Sequence, residues 1–168
     1  MRGVSSAINR SVLLAGDVAP DFDLPALVAG VKKRFHLREQ LDKTDVVLAF
    51  YPLNWNTVSA RQLTEYQAER SRIFPEAEVV GISVDSIMNT TVWEREIGPF
   101  EFPLCSDFWP HGEVSRSYGV FRDQPPLAGA SERAIFVVGK GGKVAFSRVY
   151  GVEDSPPISD ILQNLRRF

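Results

Sequence analysis

Cysteine is almost absent: Cys105 is the only one in a chain of 168 residues. No disulfide can form within the chain, no multi-cysteine zinc site can be assembled, and no two-cysteine redox cycle can run inside it. A lone thiol suits a reducing cytoplasm, which is the expected location. Histidine is scarce as well, so His36 and His111 are the only imidazoles available as general bases. No apolar run approaches the roughly 20 residues of a membrane-spanning helix. The longest runs, "VVLAFY" (46–51) and "AIFVV" (134–138), have strand length. A formal charge of −2 offers no basic excess for nucleic acid or anionic lipid, so neither is expected as a partner. The remaining composition, 44% hydrophobic and 24% charged, is that of a chain able to build one core.

The opening "MRGVSSAINRSVLLAG" has two arginines and a short apolar patch. It reads as a loosely held extension over 1–15 rather than a signal peptide, followed by one domain over 16–168. Residues 16–30 suggest a short edge strand bounded by loops, with 31–37 as its hairpin partner. "DVVLAFY" (45–51) is a continuous apolar run, the pattern of a central strand covered on both faces, and Pro52 ends it. Leu63, Tyr66, Arg70 and Ile73 then recur with helical period until Pro75, and "AEVVGISVD" (77–85) reads as a second buried strand. Strand, helix, strand at this spacing predicts parallel pairing.

Further on, Met88, Val92, Trp93 and Ile97 suggest a helix face that stops at Gly98. A short strand over 100–107 and two helical turns over 112–119 follow. "RAIFVVG" and "KVAFSRV" flank Lys140-Gly141-Gly142 as a hairpin. Ser155 and Pro156 are placed to open a last helix with Ile158, Ile161, Leu162 and Leu165 as its stripe. A parallel βαβ unit joined to an antiparallel hairpin and a terminal helix predicts an α/β fold with a thioredoxin-like sheet.

The junction "FYPLNWNTVSARQL" (50–63) runs from buried strand into helix, a common mount for a reactive group. On the residues alone, Asn56 is a helix N-cap, Ser59 a first-turn serine, and Arg133 a strand-end charge. Cys105, inside a strand, reads as a buried inert thiol. Trp93 and Trp109 read as core or interface residues.

Four blocks, "GDVAPDF" (16–22), "VVLAFYP" (46–52), "FPLCSDFWPHGEVSRSYGVF" (102–121) and "ERAIFVV" (132–138), together resemble the peroxiredoxins of the AhpC/TSA family, most closely its bacterial one-cysteine subgroup. The resemblance implies a thioredoxin-like fold with an N-terminal hairpin and a homodimer. It implies no cofactor and no metal. The activity it implies is reduction of hydrogen peroxide and organic hydroperoxides, an antioxidant peroxidase reaction that draws on an external thiol reductant. It also implies where that chemistry would sit. In the family's P-x-x-x-T-x-x-C motif, Pro52 matches the proline, Asn56 stands at the threonine, and Ser59 stands at the nucleophilic cysteine. Thr57 stands where a proline is frequent, and Arg133 matches the arginine that completes the pocket.

The replacement matters because the reaction needs an ionised, polarisable atom. Free cysteine ionises near ~8.5, and a helix N-terminus with a cation beside it lowers that value. Serine holds almost no alkoxide in neutral water and forms no sulfenic acid. A peroxidase is therefore expected to be inactive with Ser59. The chain would then be a pseudoenzyme, with a non-catalytic binding or scaffolding protein as the alternative. A serine hydrolase would need a base within hydrogen-bond reach of Ser59 and a nucleophile elbow around it, and no such elbow is present. Engineering or natural loss could explain the serine. Three departures within four residues, at 56, 57 and 59, favour natural loss.

Overall fold

The apolar run at 45–51 becomes an interior strand of a seven-stranded mixed sheet. A computed structural model of the chain describes residues 11–165. Its strands are β1 (Asp23–Val28), β2 (Val31–His36), β3 (Asp45–Phe50), β4 (Ala77–Ser83), β5 (Leu104–Ser106), β6 (Arg133–Val138) and β7 (Val144–Tyr150). They lie side by side in the order β2-β1-β5-β4-β3-β6-β7. β3 pairs in parallel with β4, and β4 with β5, while β6 runs antiparallel to β3. The helices are α1 (Leu37–Leu41), α2 (Thr57–Ala68), α3 (Arg70–Ile73), α4 (Ile87–Ile97), α5 (Glu113–Ser117) and α6 (Ile158–Leu165).

The two faces of β3 follow from its alternation. Val46, Leu48 and Phe50 pack with Phe22, Tyr118 and Phe136 on one side. Val47 and Ala49 pack with Leu63, Tyr66, Trp93 and Ile161 on the other. A strand buried on both faces has no use for polar residues at alternate positions, which is why its sequence is continuous rather than alternating.

Several expectations need correction. β1 is not an edge strand: it lies between β2 and β5, and Ala26 and Leu27 are fully buried. β2 is the edge, and its exposed Lys32, Lys33 and Arg34 guard the open hydrogen-bonding groups. α1 has no signal of its own in the sequence reading. The single helix expected before Pro75 breaks at Glu69 into α2 and α3. α4 buries Thr90, Trp93 and Glu94, while Met88 and Val92 face outward, 65% and 49% exposed. Its inward face is turned by a polar anchor, because Thr90 accepts a hydrogen bond from buried Asn54. Trp109 is exposed and belongs to no core. α6 opens at Ile158, beyond both Pro156 and Pro157, so Ser155 does not cap it.

Residues 1–10 of the expected extension lie outside the described residues. The part that is described is not loose. Leu13 donates its N–H to the Tyr118 carbonyl at 3.3 Å, and its own carbonyl accepts from Ser147 Oγ at 2.7 Å.

Topology decides where a site can form. The parallel strands β3, β4 and β5 end along one edge of the sheet, and antiparallel β6 begins there, with Phe50 opposite Ala134. The loop leaving β3 therefore meets the first residue of β6.

Candidate functional site

The chain leaves β3 through buried Tyr51 and Pro52 and reaches α2 after six loop residues. Buried Asn54 pins this loop: its backbone N–H donates to Asp85 Oδ2 at 2.8 Å, and its side chain donates to Asn89 and Thr90. Trp55 follows with φ of 65°, a strained left-handed backbone for an aromatic residue, and donates its indole N–H to Asn89 Oδ1. Asn56 then caps α2, its Oδ1 accepting the Ser59 N–H at 2.9 Å. Extended backbone at the cap turns Ser59, the third residue of the helix, toward the sheet.

Arg133 comes to meet it from the start of β6. Both side chains are fully buried. Arg133 Nη1 donates to Ser59 Oγ at 3.1 Å and to Gln62 Oε1 at 2.7 Å. Nη2 reaches Asn56 Oδ1 at 3.4 Å and the Val152 carbonyl at 2.7 Å, and Nε donates to that same carbonyl at 3.1 Å. Gln62 in turn donates to the buried Tyr66 hydroxyl at 2.7 Å. Burial pushes the Arg133 pKa down, opposed by Tyr66, Glu153 and Asp154, and a guanidinium stays charged nonetheless.

The structure thus brings Asn56, Ser59 and Arg133 together, with Pro52 at the root of the loop. Two further contributors went unnoticed in the sequence, Gln62 and the carbonyl of Val152. Gln62 had a readable signal, since it lies three residues after Ser59 and four before Tyr66 on one helical face. The Val152 carbonyl had none, because backbone acceptors carry no side-chain mark.

Chemically, the arrangement holds an oxygen inside a field of positive charge. Ser59 Oγ is hydrogen-bonded to Asn56 and Arg133, and neither is a base. His36 is engaged with Asp21 at 2.7 Å, and the His111 ring packs on Trp109. Cys105 lies elsewhere, buried in β5, where burial and then Asp107 push its thiol pKa up.

Comparison with known proteins gives one consistent answer. The AhpC/TSA family profile matches residues 15–147. Alkyl hydroperoxide reductase E of Mycobacterium tuberculosis is 34% identical over 143 residues, covering 82% of this chain and 86% of its own. A chloroplastic 2-cysteine peroxiredoxin of Chattonella marina var. antiqua is 32% identical over 159 residues, covering 90% of this chain and 78% of its own. Among solved structures, the reduced 2-Cys peroxiredoxin of Plasmodium vivax superposes with a TM-score of 0.83 at 23% identity, covering 92% of this chain and 81% of its own.

Proposed function

Because the chain belongs to the AhpC/TSA family of peroxiredoxins, we propose that it keeps that family's peroxide pocket without the sulfur that works in it. The residues assigned to the pocket are Ser59 at the nucleophile's position, Asn56 at the threonine's, Pro52 and Arg133. What carries the reading is one contact: a fully buried arginine donates to Ser59 Oγ at 3.1 Å, in the first turn of a helix. A helix N-terminus and a cation are what a nucleophilic thiolate needs, and a hydroxyl gains almost nothing from either.

The family reaction is thiol-dependent reduction of hydrogen peroxide and organic hydroperoxides, with an external thiol returning the enzyme to its reduced state. This chain lacks the group that would attack peroxide and serves as a non-catalytic member, a pseudoenzyme retained for binding or scaffolding. Its setting is the cytoplasm, its domain spans 16–168, and its assembly is a homodimer. Such a dimer has apolar side chains to bury, Trp55, Met88 and Val92 among them. A serine hydrolase finds no support, because the hydrogen-bond partners of Ser59 are an amide and a guanidinium.

The test is peroxide consumption by the natural chain beside Ser59→Cys and the double variant Ser59→Cys/Asn56→Thr. The natural chain consumes none, the single variant is a weak peroxidase, and the double variant is faster. A folded double variant that forms no sulfenic acid on stopped-flow mixing with hydrogen peroxide removes the reading.

A further inference from the structure

Arg133 is a fully buried cation with no anion at its side. All five of its N–H groups are engaged, and every acceptor is neutral: the Val152 carbonyl twice, Gln62 Oε1, Ser59 Oγ and Asn56 Oδ1. Two partly buried arginines elsewhere are held differently. Arg70 is paired with Glu78 and Glu101, and Arg122 with Glu132. None of the ion pairs among the described residues involves Arg133. Glu153 and Asp154 act on it only from a distance, from an exposed loop. A buried charge without a counter-charge is costly to hold, and a small anion offsets that cost where enough donors replace the hydration it gives up.

The geometry also shows where such an anion would sit. Three donors converge on Asn56 Oδ1: the Ser59 N–H at 2.9 Å, the Ser59 hydroxyl at 3.3 Å and Arg133 Nη2 at 3.4 Å. The last two are long, as expected for a neutral acceptor serving several donors at once. A charged oxygen in the same place would shorten and strengthen each of these bonds. Asn56 is also the outermost of the group, half-buried while Ser59, Gln62 and Arg133 are sealed. Turning its side chain outward gives up the cap and frees these three donors for an anion.

We propose that the pocket of Ser59 and Arg133 is a binding site for a small carboxylate-type monoanion, and that the Asn56 carboxamide occupies it as a built-in substitute. The inference rests on the pocket assignment above but concerns binding rather than redox chemistry. Formate is the natural probe, because its three heavy atoms match the terminal carboxamide of asparagine in shape and differ in charge. Formamide is the neutral control of the same shape.

The experiment is thermal unfolding of the full chain, Asn56→Ala and Gln62→Glu in graded sodium formate or formamide. Ionic strength is held constant with a sulfonate buffer salt too bulky for the seat. Formate is expected to raise the midpoint of the natural chain, and to raise that of Asn56→Ala by about 2–4 °C more, with formamide giving no comparable shift. Gln62→Glu places a carboxylate against Arg133 Nη1, so it is expected to lose the formate response. Equal shifts from formate and formamide overturn the proposal. So does a full formate response in Gln62→Glu, or no response in the natural chain. If Asn56→Ala does not fold, the natural chain and Gln62→Glu still decide the matter. An active Ser59→Cys peroxidase whose parent ignores formate removes this inference alone. A formate response alongside an inert Ser59→Cys keeps the anion site and removes the peroxide reading.

Discussion

Arg133 Nη1 stands 3.1 Å from Ser59 Oγ, across 74 residues of sequence. Strand β6 has to run antiparallel to β3 for this to happen, because only then does its first residue arrive where the β3 loop enters α2. The sheet's topology, rather than any local motif, therefore sets the electrostatic field at position 59.

That field yields the first prediction. A thiol placed at residue 59 by Ser59→Cys should ionise at least one unit below the ~8.5 of a free cysteine. Titrating the ultraviolet absorbance of the thiolate measures this, with the natural chain as the blank for Cys105. Adding Arg133→Met should return the value to the ordinary range or above it, since burial alone disfavours the charged form. An unshifted thiol in the folded Ser59→Cys variant would mean that the guanidinium does not act on this position.

Cys105 should take no part in any such chemistry. It is fully buried in β5, pairs in register with Ala26 and Ile82, and its thiol is held protonated by burial. A disulfide reagent such as dithiobis-nitrobenzoate should leave the native protein unlabelled and react with one thiol per chain in denaturant. Fast labelling of the native protein would contradict the burial.

Much of this fold was legible because burial on both faces writes itself into sequence. The runs at 45–51 and 77–85 and the hairpin around Lys140-Gly141-Gly142 all became strands near their expected bounds. The helix faces were harder. Met88 and Val92 looked like a core stripe because they are apolar, yet α4 is anchored through Thr90 and turns a buried carboxylate, Glu94, inward. Polar anchors defeat a reading that scores only apolar period. At the site, the N-cap of Asn56 was visible from residue type. The buried role of Gln62 depends on Arg133 arriving from elsewhere in the chain, and no local pattern announces that.

The pair of His36 and Asp21 gives a pH prediction. The hydrogen bond to Asp21 raises the His36 pKa above its ordinary 6.5, with burial opposing and Glu39 assisting. Burial pushes Asp21 up, but His36 and the backbone and charge of Arg38 outweigh it and leave its pKa below 3.8. A raised histidine stabilises the fold fully below its unfolded value and loses that contribution as pH rises through the folded one. A lowered aspartate stabilises above its unfolded value and loses that as pH falls. The pair's contribution should therefore be complete between about 3.8 and 6.5 and decline on either side. Urea midpoints measured across pH should show the decline above 6.5 in the natural chain and its loss in His36→Gln. The effect should be small, since both side chains are partly exposed and solvent screens them.

The last prediction concerns Asn54, which touches neither Ser59 nor Arg133 in any hydrogen bond yet holds the loop that leads to them. Its Oδ1 accepts from the Tyr51 hydroxyl at 2.9 Å, and its Nδ2 donates to Asn89 Oδ1 at 3.0 Å and Thr90 Oγ1 at 2.9 Å. Asn54→Ala leaves the Tyr51 and Thr90 hydroxyls without these partners, both in fully buried residues, at a cost of about 3 kcal/mol. The same change removes two of the ties between the loop and α4 and leaves the Trp55 indole bond to Asn89, so Asn56 and the first turn of α2 are held less firmly against Arg133. In a Ser59→Cys background the peroxidase rate should then fall by about tenfold, because small misplacements of reacting groups are expensive. Hydrogen exchange should show the first turns of α2 and α4 losing protection together while β3 and β6 keep theirs. Unchanged exchange in α2, with only a global loss of stability, would mean that the Asn54 network supports the core and does not position the site.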